Sequence, residues 1–177
     1  MAATCDAYFI GRIVGASGFP DGAFCLYELV HGQQWVITDG EEKGQTQIDT
    51  PDEGDTVIWS HPIDVHYEFP GIQGWPKLSV EVWQQDALGR SFLGGYGICN
   101  LPMTPGSHDI DVQLWRPVGT KVDALTSKYI GGSPQLVTQD IVDKAQDRDR
   151  LKTETAGVLH LSIGLILGRT SNFQVLI

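Results

Sequence analysis

Basic residues are scarce: 12 Lys and Arg stand against 22 Asp and Glu, a net charge of −10 at pH 7. A duplex-binding protein needs a basic stripe to displace counterions from phosphates, so nucleic acid is excluded as a partner. Unaided adhesion to anionic lipid is disfavoured for the same reason, leaving membrane contact at most indirect or weak. Cysteine is equally sparse. Cys5, Cys25 and Cys99 are an odd number with no C-x-x-C pair, which leaves no disulfide framework and no thiolate metal clasp. No Asn-x-Ser/Thr sequon occurs. The longest apolar stretch, Val158 to Leu167, is interrupted by His160 and Ser162 and falls short of the ~20 residues that span a bilayer as a helix. The first ten residues, Met1 to Ile10, carry no basic cluster and no apolar core, so they do not read as a secretory signal. The expectation is a soluble protein of a reducing, cytoplasmic compartment. Charged residues make up 19% of the chain, below the usual ~25%, which leaves little material for long solvated helices.

What the chain has instead is glycine (21), proline (9) and alternation. In Ile63–Phe69 the residues Ile63, Val65, Tyr67 and Phe69 share one face, and Asp64, His66 and Glu68 the other. Leu78–Trp83 and His108–Trp115 alternate in the same way, the mark of half-buried strands. Weaker strand patterns cover Ala7–Val14, Phe24–Val30, Gln34–Ile37, Thr56–Trp59, Ser91–Leu101 and Val158–Leu167. Turn signals separate them, among them Gly18–Gly22, Thr38–Gly40, Pro70-Gly71, Asp86–Gly89 and Thr104–Gly106. His61-Pro62 reads as a strand break. Many short strands at this spacing predict an all-β antiparallel β-sandwich. One short helix is expected at Lys121–Ile130, where Val122, Leu125 and Tyr129 form a stripe behind Thr120. The length suits a single domain over residues 1–177, with a charged excursion at about 118–156 before the last strand.

Catalytic chemistry is hard to place. Ser60 and His61 are neighbours on a strand, so their side chains point to opposite faces. Gly94-Gly-Tyr-Gly97 is followed by neither a helix nor Lys-Ser/Thr, so it cannot cradle phosphate. The five histidines show no metal-ligand spacing. Between Asp39 and Asp55 seven acids crowd against Lys43; the run reads as a solvated loop that keeps the chain soluble or meets a basic partner. The five tryptophans would suit stacking on sugars, but only Trp83 falls on a polar face by alternation, and core packing is the better reading.

Seven motifs in order carry a resemblance: Gly15-Ala-Ser-Gly-Phe19, Gly44–Pro51, Trp59–Asp64, Gly71-Ile-Gln-Gly-Trp-Pro76, Gly94–Gly97, Trp115-Arg-Pro117 and Gly131–Leu136. The chain resembles the B9-domain proteins from about Tyr8 to Leu167. That resemblance implies a divergent C2-type sandwich and residence at the ciliary transition zone, near the basal body. It implies a non-enzymatic scaffold that assembles with the two other B9-domain proteins inside the larger Meckel–Joubert complex. Such an assembly supports cilium formation and the ciliary membrane gate. Kinship with C2 domains raises calcium, but where calcium-binding members carry Asp-x-Asp this chain has Gln84-Gln85-Asp86, and in the loop leading into Ala23–Tyr27 only Asp21 is acidic. Too few carboxylates remain for a cation that needs six to eight oxygens, so neither metal nor cofactor is expected. The alternative reading is a calcium-independent phospholipid-binding module. Contact candidates for partners are Trp75 and Pro76 in a glycine-flanked turn expected to be exposed, Trp83 on its polar face, and Trp115, Arg116 and Pro117 after a strand.

Overall fold

A computed structural model describes residues 4–118 and 153–169. Nine strands follow in chain order: β1 (Cys5–Ser17), β2 (Gly22–Val30), β3 (Val36–Gly40), β4 (Lys43–Gln45), β5 (Thr56–Phe69), β6 (Lys77–Gln85), β7 (Ser91–Asn100), β8 (Gly106–Pro117) and β9 (Thr153–Arg169). All pairings are antiparallel, in the order β3-β5-β1-β9-β8-β7-β6-β2-β4. The expected two separate sheets are therefore one continuous sheet curled into a half-barrel. Its two halves join where β7 meets β8, through the single registered pair Tyr96↔Trp115. Glycine permits the curl at that seam: a Cβ on Gly97 would lie 2.7 Å from the Leu114 side chain, and one on Gly95 2.9 Å from Ala156.

Alternation puts one side of each half inward. Phe9, Ile13, Ile63, Val65, Leu161 and Ile163 from β1, β5 and β9 meet Cys25, Leu29, Leu78, Val80 and Val82 from β2 and β6 in one buried cluster. At about 25 cal/mol per Å² of apolar surface removed from water, this shared core is the main stabilising term. The side opposite the seam has no ladder and is stitched by single contacts. Ala23 bridges Asp49, the Trp59 indole donates to the Ala23 carbonyl at 3.0 Å, and Ile58 N–H donates to the Asp49 carboxylate at 2.7 Å.

Three expectations change. Ser60-His61-Pro62 is not a break: β5 runs through it, with Ser60 at φ 47° and a register shift between Ile13 and Gly15 on β1. A bulge lets the ladder continue where a proline would otherwise interrupt it. The last strand starts at Thr153, so residues 153–156 of the expected excursion belong to β9. The acidic stretch contains β4, which pairs with Leu26–Glu28. The expected helix Lys121–Ile130 lies outside the described residues, among which there is no helix. No helix there is long and apolar enough to cross a membrane.

Candidate interaction surfaces

The contact candidates divide into two groups. Trp75 and Pro76 are buried, which corrects the expectation of exposure for that turn. The Trp75 ring is 9% exposed and packs edge-on against Phe9, Trp35 and Phe69, with centroids 5.0–6.1 Å apart. Its indole N–H donates to the Leu101 carbonyl at 3.1 Å. The neighbouring turns interlock at two glycines: a Cβ on Gly74 would lie 2.5 Å from Gly32 Cα, and Gly32 N–H donates to the Gly74 carbonyl. Glycine lets those backbones touch, and the touch swings the indole inward.

Trp83 on β6 and Trp115 on β8 come together on the outer side of the sheet, on either side of the seam. They flank Leu93 and Tyr96, which are 1% and 3% exposed, with Ile98 at the margin. Register explains the grouping, since Trp83 pairs with Leu93, Glu81 with Tyr96, and Tyr96 with Trp115. The Tyr96 and Trp115 rings lie 5.5 Å apart, and the Trp83 indole donates to Glu81 at 3.0 Å. Arg116, half exposed, donates from Nε to the Glu154 carboxylate at 2.6 Å, and Pro117 pairs with Thr153. Sequence reasoning did not find Leu93 and Tyr96, because the β6–β7 register shifts between Val82 and Trp83 and breaks the alternation there.

Several acidic groups are engaged in local structure. In the β6–β7 turn Asp86 Oδ1 accepts from the N–H groups of Leu88 and Arg90, both at 2.9 Å, and Oδ2 accepts from the Arg90 guanidinium. The Arg90 backbone N–H, then its side chain, holds the Asp86 carboxyl below its ordinary range. Gln84 is 7% exposed. Glu42 accepts from His31 at 2.6 Å and Asp49 from Ile58. The donor set does not fit a cation of high coordination number, and no cluster of three metal-ligating side chains occurs among the described residues.

A cavity of about 360 Å³ opens over β2, β4 and β6, with Glu28, Glu81 and Lys43 around Leu26 and Ser79. One arrangement has the outline of a hydrolytic triad: Ser17 Oγ lies 3.2 Å from His160 Nε2, and His160 Nδ1 lies 2.7 Å from Asp111 Oδ1. Three strands supply it, from positions too far apart in sequence for any motif to reveal. The Asp111 side chain is 71% exposed, so water screens the charge that would stabilise an imidazolium. The 360 Å³ cavity is lined by other residues. The array ties β1, β9 and β8 together across an open face.

Burial raises two of the thiols. Cys25 is pushed far up, by burial first and then by the Glu81 charge, and Cys99 to about 11 by burial. Both behave as small apolar side chains.

Residues 7–166 match a protein-family model described as "Ciliary basal body-associated, B9 protein". The chain is 44% identical over 171 residues to B9 domain-containing protein 2 of Rattus norvegicus, covering 96% of this chain and 98% of that one. With the Homo sapiens protein of the same name the identity is 43% over the same coverage. A solved plant extended synaptotagmin 1 C2A domain superposes with a TM-score of 0.47 at 11% identity, over 96% of this chain and 97% of that one.

Proposed function

The chain belongs to the B9 protein family, and from that membership we propose that it is a non-enzymatic scaffold subunit of the ciliary transition-zone complex. In this reading it sits in the cytoplasm at the cilium base and meets the two other B9-domain proteins and, through them, the wider Meckel–Joubert assembly. It serves cilium assembly and the membrane gate. We further read its half-barrel as a divergent C2-type sandwich whose two halves remain joined at the seam.

The observation that carries this reading is coverage. The family match runs over residues 7–166 of the 177, and the relatives named above are matched over 98% of their own length. The scaffold reading is also supported by polar pairs that tie strands and turns together, such as Arg116 with Glu154 and Asp86 with Arg90. Co-expression with the two sister B9 proteins tests the proposal. A stable complex that survives gel filtration supports it; a chain that elutes alone at every ratio overturns it. Liposome flotation separates the lipid-binding alternative, which a net charge of −10 opposes. Flotation of the isolated chain without calcium would favour that alternative.

A further inference from the structure

The outer side of the first half-sheet, β5-β1-β9-β8, carries Trp115 and the Ser17–His160–Asp111 array toward one end and is otherwise not used by the candidates above. Its rows follow from the register. His66, Tyr8 and Ile166 lie side by side, then Asp64, Ile10, Gly164 and Ser107, then Pro62, Arg12, Ser162 and Asp109. Ile10 and Ile166 are 47% and 57% exposed, unusual for large aliphatics on the solvent side of a sheet. Gly164 leaves a notch beside them: the nearest atom to a Cβ there is the Ile10 carbonyl oxygen at 3.2 Å. Tyr8 is held flat on His66, with ring centroids 4.0 Å apart and planes 11° apart, and His66 is fixed by Asp6 at 3.1 Å. The patch is therefore apolar, notched and rigid.

Carboxylates border it on both flanks. Asp64 stands directly across from Ile10, and Asp6 pairs with Glu68 one row beyond Tyr8. Asp109 and Asp111 line the far strand. Arg12 is the one arginine or lysine in the rows named. An anionic membrane would meet these acids with repulsion. A second copy of this chain, laid face to face, would set one acidic border against another. The complementary surface is an aliphatic side chain among lysines or arginines.

We infer that the outer face around Ile10, Gly164 and Ile166 is a docking surface for a basic protein segment that presents an aliphatic anchor. This deepens the scaffold reading and rests on it, by giving the partner a place and a chemistry. Apolar contact at the centre would supply the affinity, and the acidic border would set orientation and association rate.

The test uses the full chain and a short dye-labelled peptide with two isoleucines flanked by lysines, read by fluorescence anisotropy. Two variants carry the same charge change. The pair Ile10→Lys and Ile166→Lys alters the face; the pair Leu88→Lys and Met103→Lys alters exposed aliphatics elsewhere, at 78% and 58% exposure. The face variant is expected to weaken binding about tenfold or more, the loss typical of a central anchor, with little change in the control. Ile10→Thr with Ile166→Thr keeps β-branching and is expected to weaken binding while melting like the parent, which separates docking from folding. Peptides with glutamate for lysine, or serine for isoleucine, are expected not to bind. Equal weakening by both lysine variants would reduce the effect to net charge and overturn the inference, as would no binding by the parent chain. A dimer of the parent that the face variant dissolves would assign the face to a second copy and overturn it too. Since neither sister B9 protein enters this assay, it can fail while the co-expression experiment succeeds, and the reverse.

Discussion

Trp75 decides between two roles that the sequence left open, and Trp75→Ala should expose the difference. The indole is 9% exposed, packs against three aromatic rings and satisfies the Leu101 carbonyl. Truncating a buried Trp to Ala ordinarily costs about 3–5 kcal/mol, because apolar contact is lost and the hollow collapses only in part. The interlocked Gly32–Gly74 turns hold the walls apart and oppose collapse, which places the cost in the upper half of that range. A typical domain has about 5–15 kcal/mol in total, so the variant should fold but sit close to its limit. For a chain of this size a kcal/mol shifts Tm by roughly 2–4 °C, so a fall of roughly 8–20 °C is expected. Trp75→Phe keeps a ring but loses the indole donor, and should lie between parent and Ala, with about 1 kcal/mol of its loss from the hydrogen bond. Urea unfolding followed by circular dichroism reads both, with the slope unchanged and the midpoint moved. A Trp75→Ala loss below about 1 kcal/mol, far under the cavity cost, together with lost co-purification of the sister proteins, would refute the reasoning and make Trp75 a contact residue.

The Tyr67 hydroxyl is buried without a partner in good hydrogen-bond geometry, and burial, then the Glu42 charge and the approach of its carboxylate, push the pKa up. Tyr67→Phe should be neutral or stabilising by up to about 1 kcal/mol, measured by urea unfolding; a loss larger than that would mean the hydroxyl is satisfied. Cys99 is raised from 9.0 to about 11, so its contribution is full below pH 9 and is lost as pH rises through about 11. The alkaline fall in stability should flatten in Cys99→Ala by on the order of 2 kcal/mol, and an unchanged alkaline limb would discard burial as the cause. Gly97→Ala should cost about 1–3 kcal/mol by crowding Leu114, Val80 and Val112; a native melt would show that the seam has room to give. The parent chain should not be labelled by a fluorophosphonate probe at Ser17, read by mass spectrometry, because Asp111 is too solvated to support His160. Labelling that His160→Ala abolishes would reopen catalysis.

Much of the strand content was legible because burial follows parity. Ile63, Val65, Tyr67 and Phe69 all face inward, as do Leu78, Val80 and Val82. What failed includes backbone irregularity, which parity cannot register. Ser60 at φ 47° carries β5 past a proline that read as a stop. The shift between Val82 and Trp83 gathers Leu93 and Tyr96 on the outer side, where the pattern Gly94-Gly-Tyr-Gly97 showed only glycines. Trp75 was misplaced because its burial depends on contact between Gly32 and Gly74, residues far apart in sequence. β4 escaped because Lys43-Gly-Gln45 has no apolar residue to alternate. The continuity of the sheet could not be read at all, since it rests on one cross-strand pair, Tyr96 and Trp115. Of the contact candidates, sequence alternation placed Trp83 on the correct side, while the grouping of Trp83 with Trp115 needed the register.

The position of β9 has a consequence for how the chain is made. It lies between β1 and β8, with Arg169 paired to Cys5 and Gly106 to Leu165. β1 therefore waits for a strand that begins only at Thr153 before its second edge is covered. Pairing across such a distance is slow, since the intervening chain must first be brought back on itself. Until then β1 and β8 each present an open ladder of amide and carbonyl groups, the kind of edge that recruits other chains. A chain interrupted between Pro117 and Thr153 loses more than a tail: the facing edges of β1 and β8 both stay open, the kind of surface that chaperones and proteases engage.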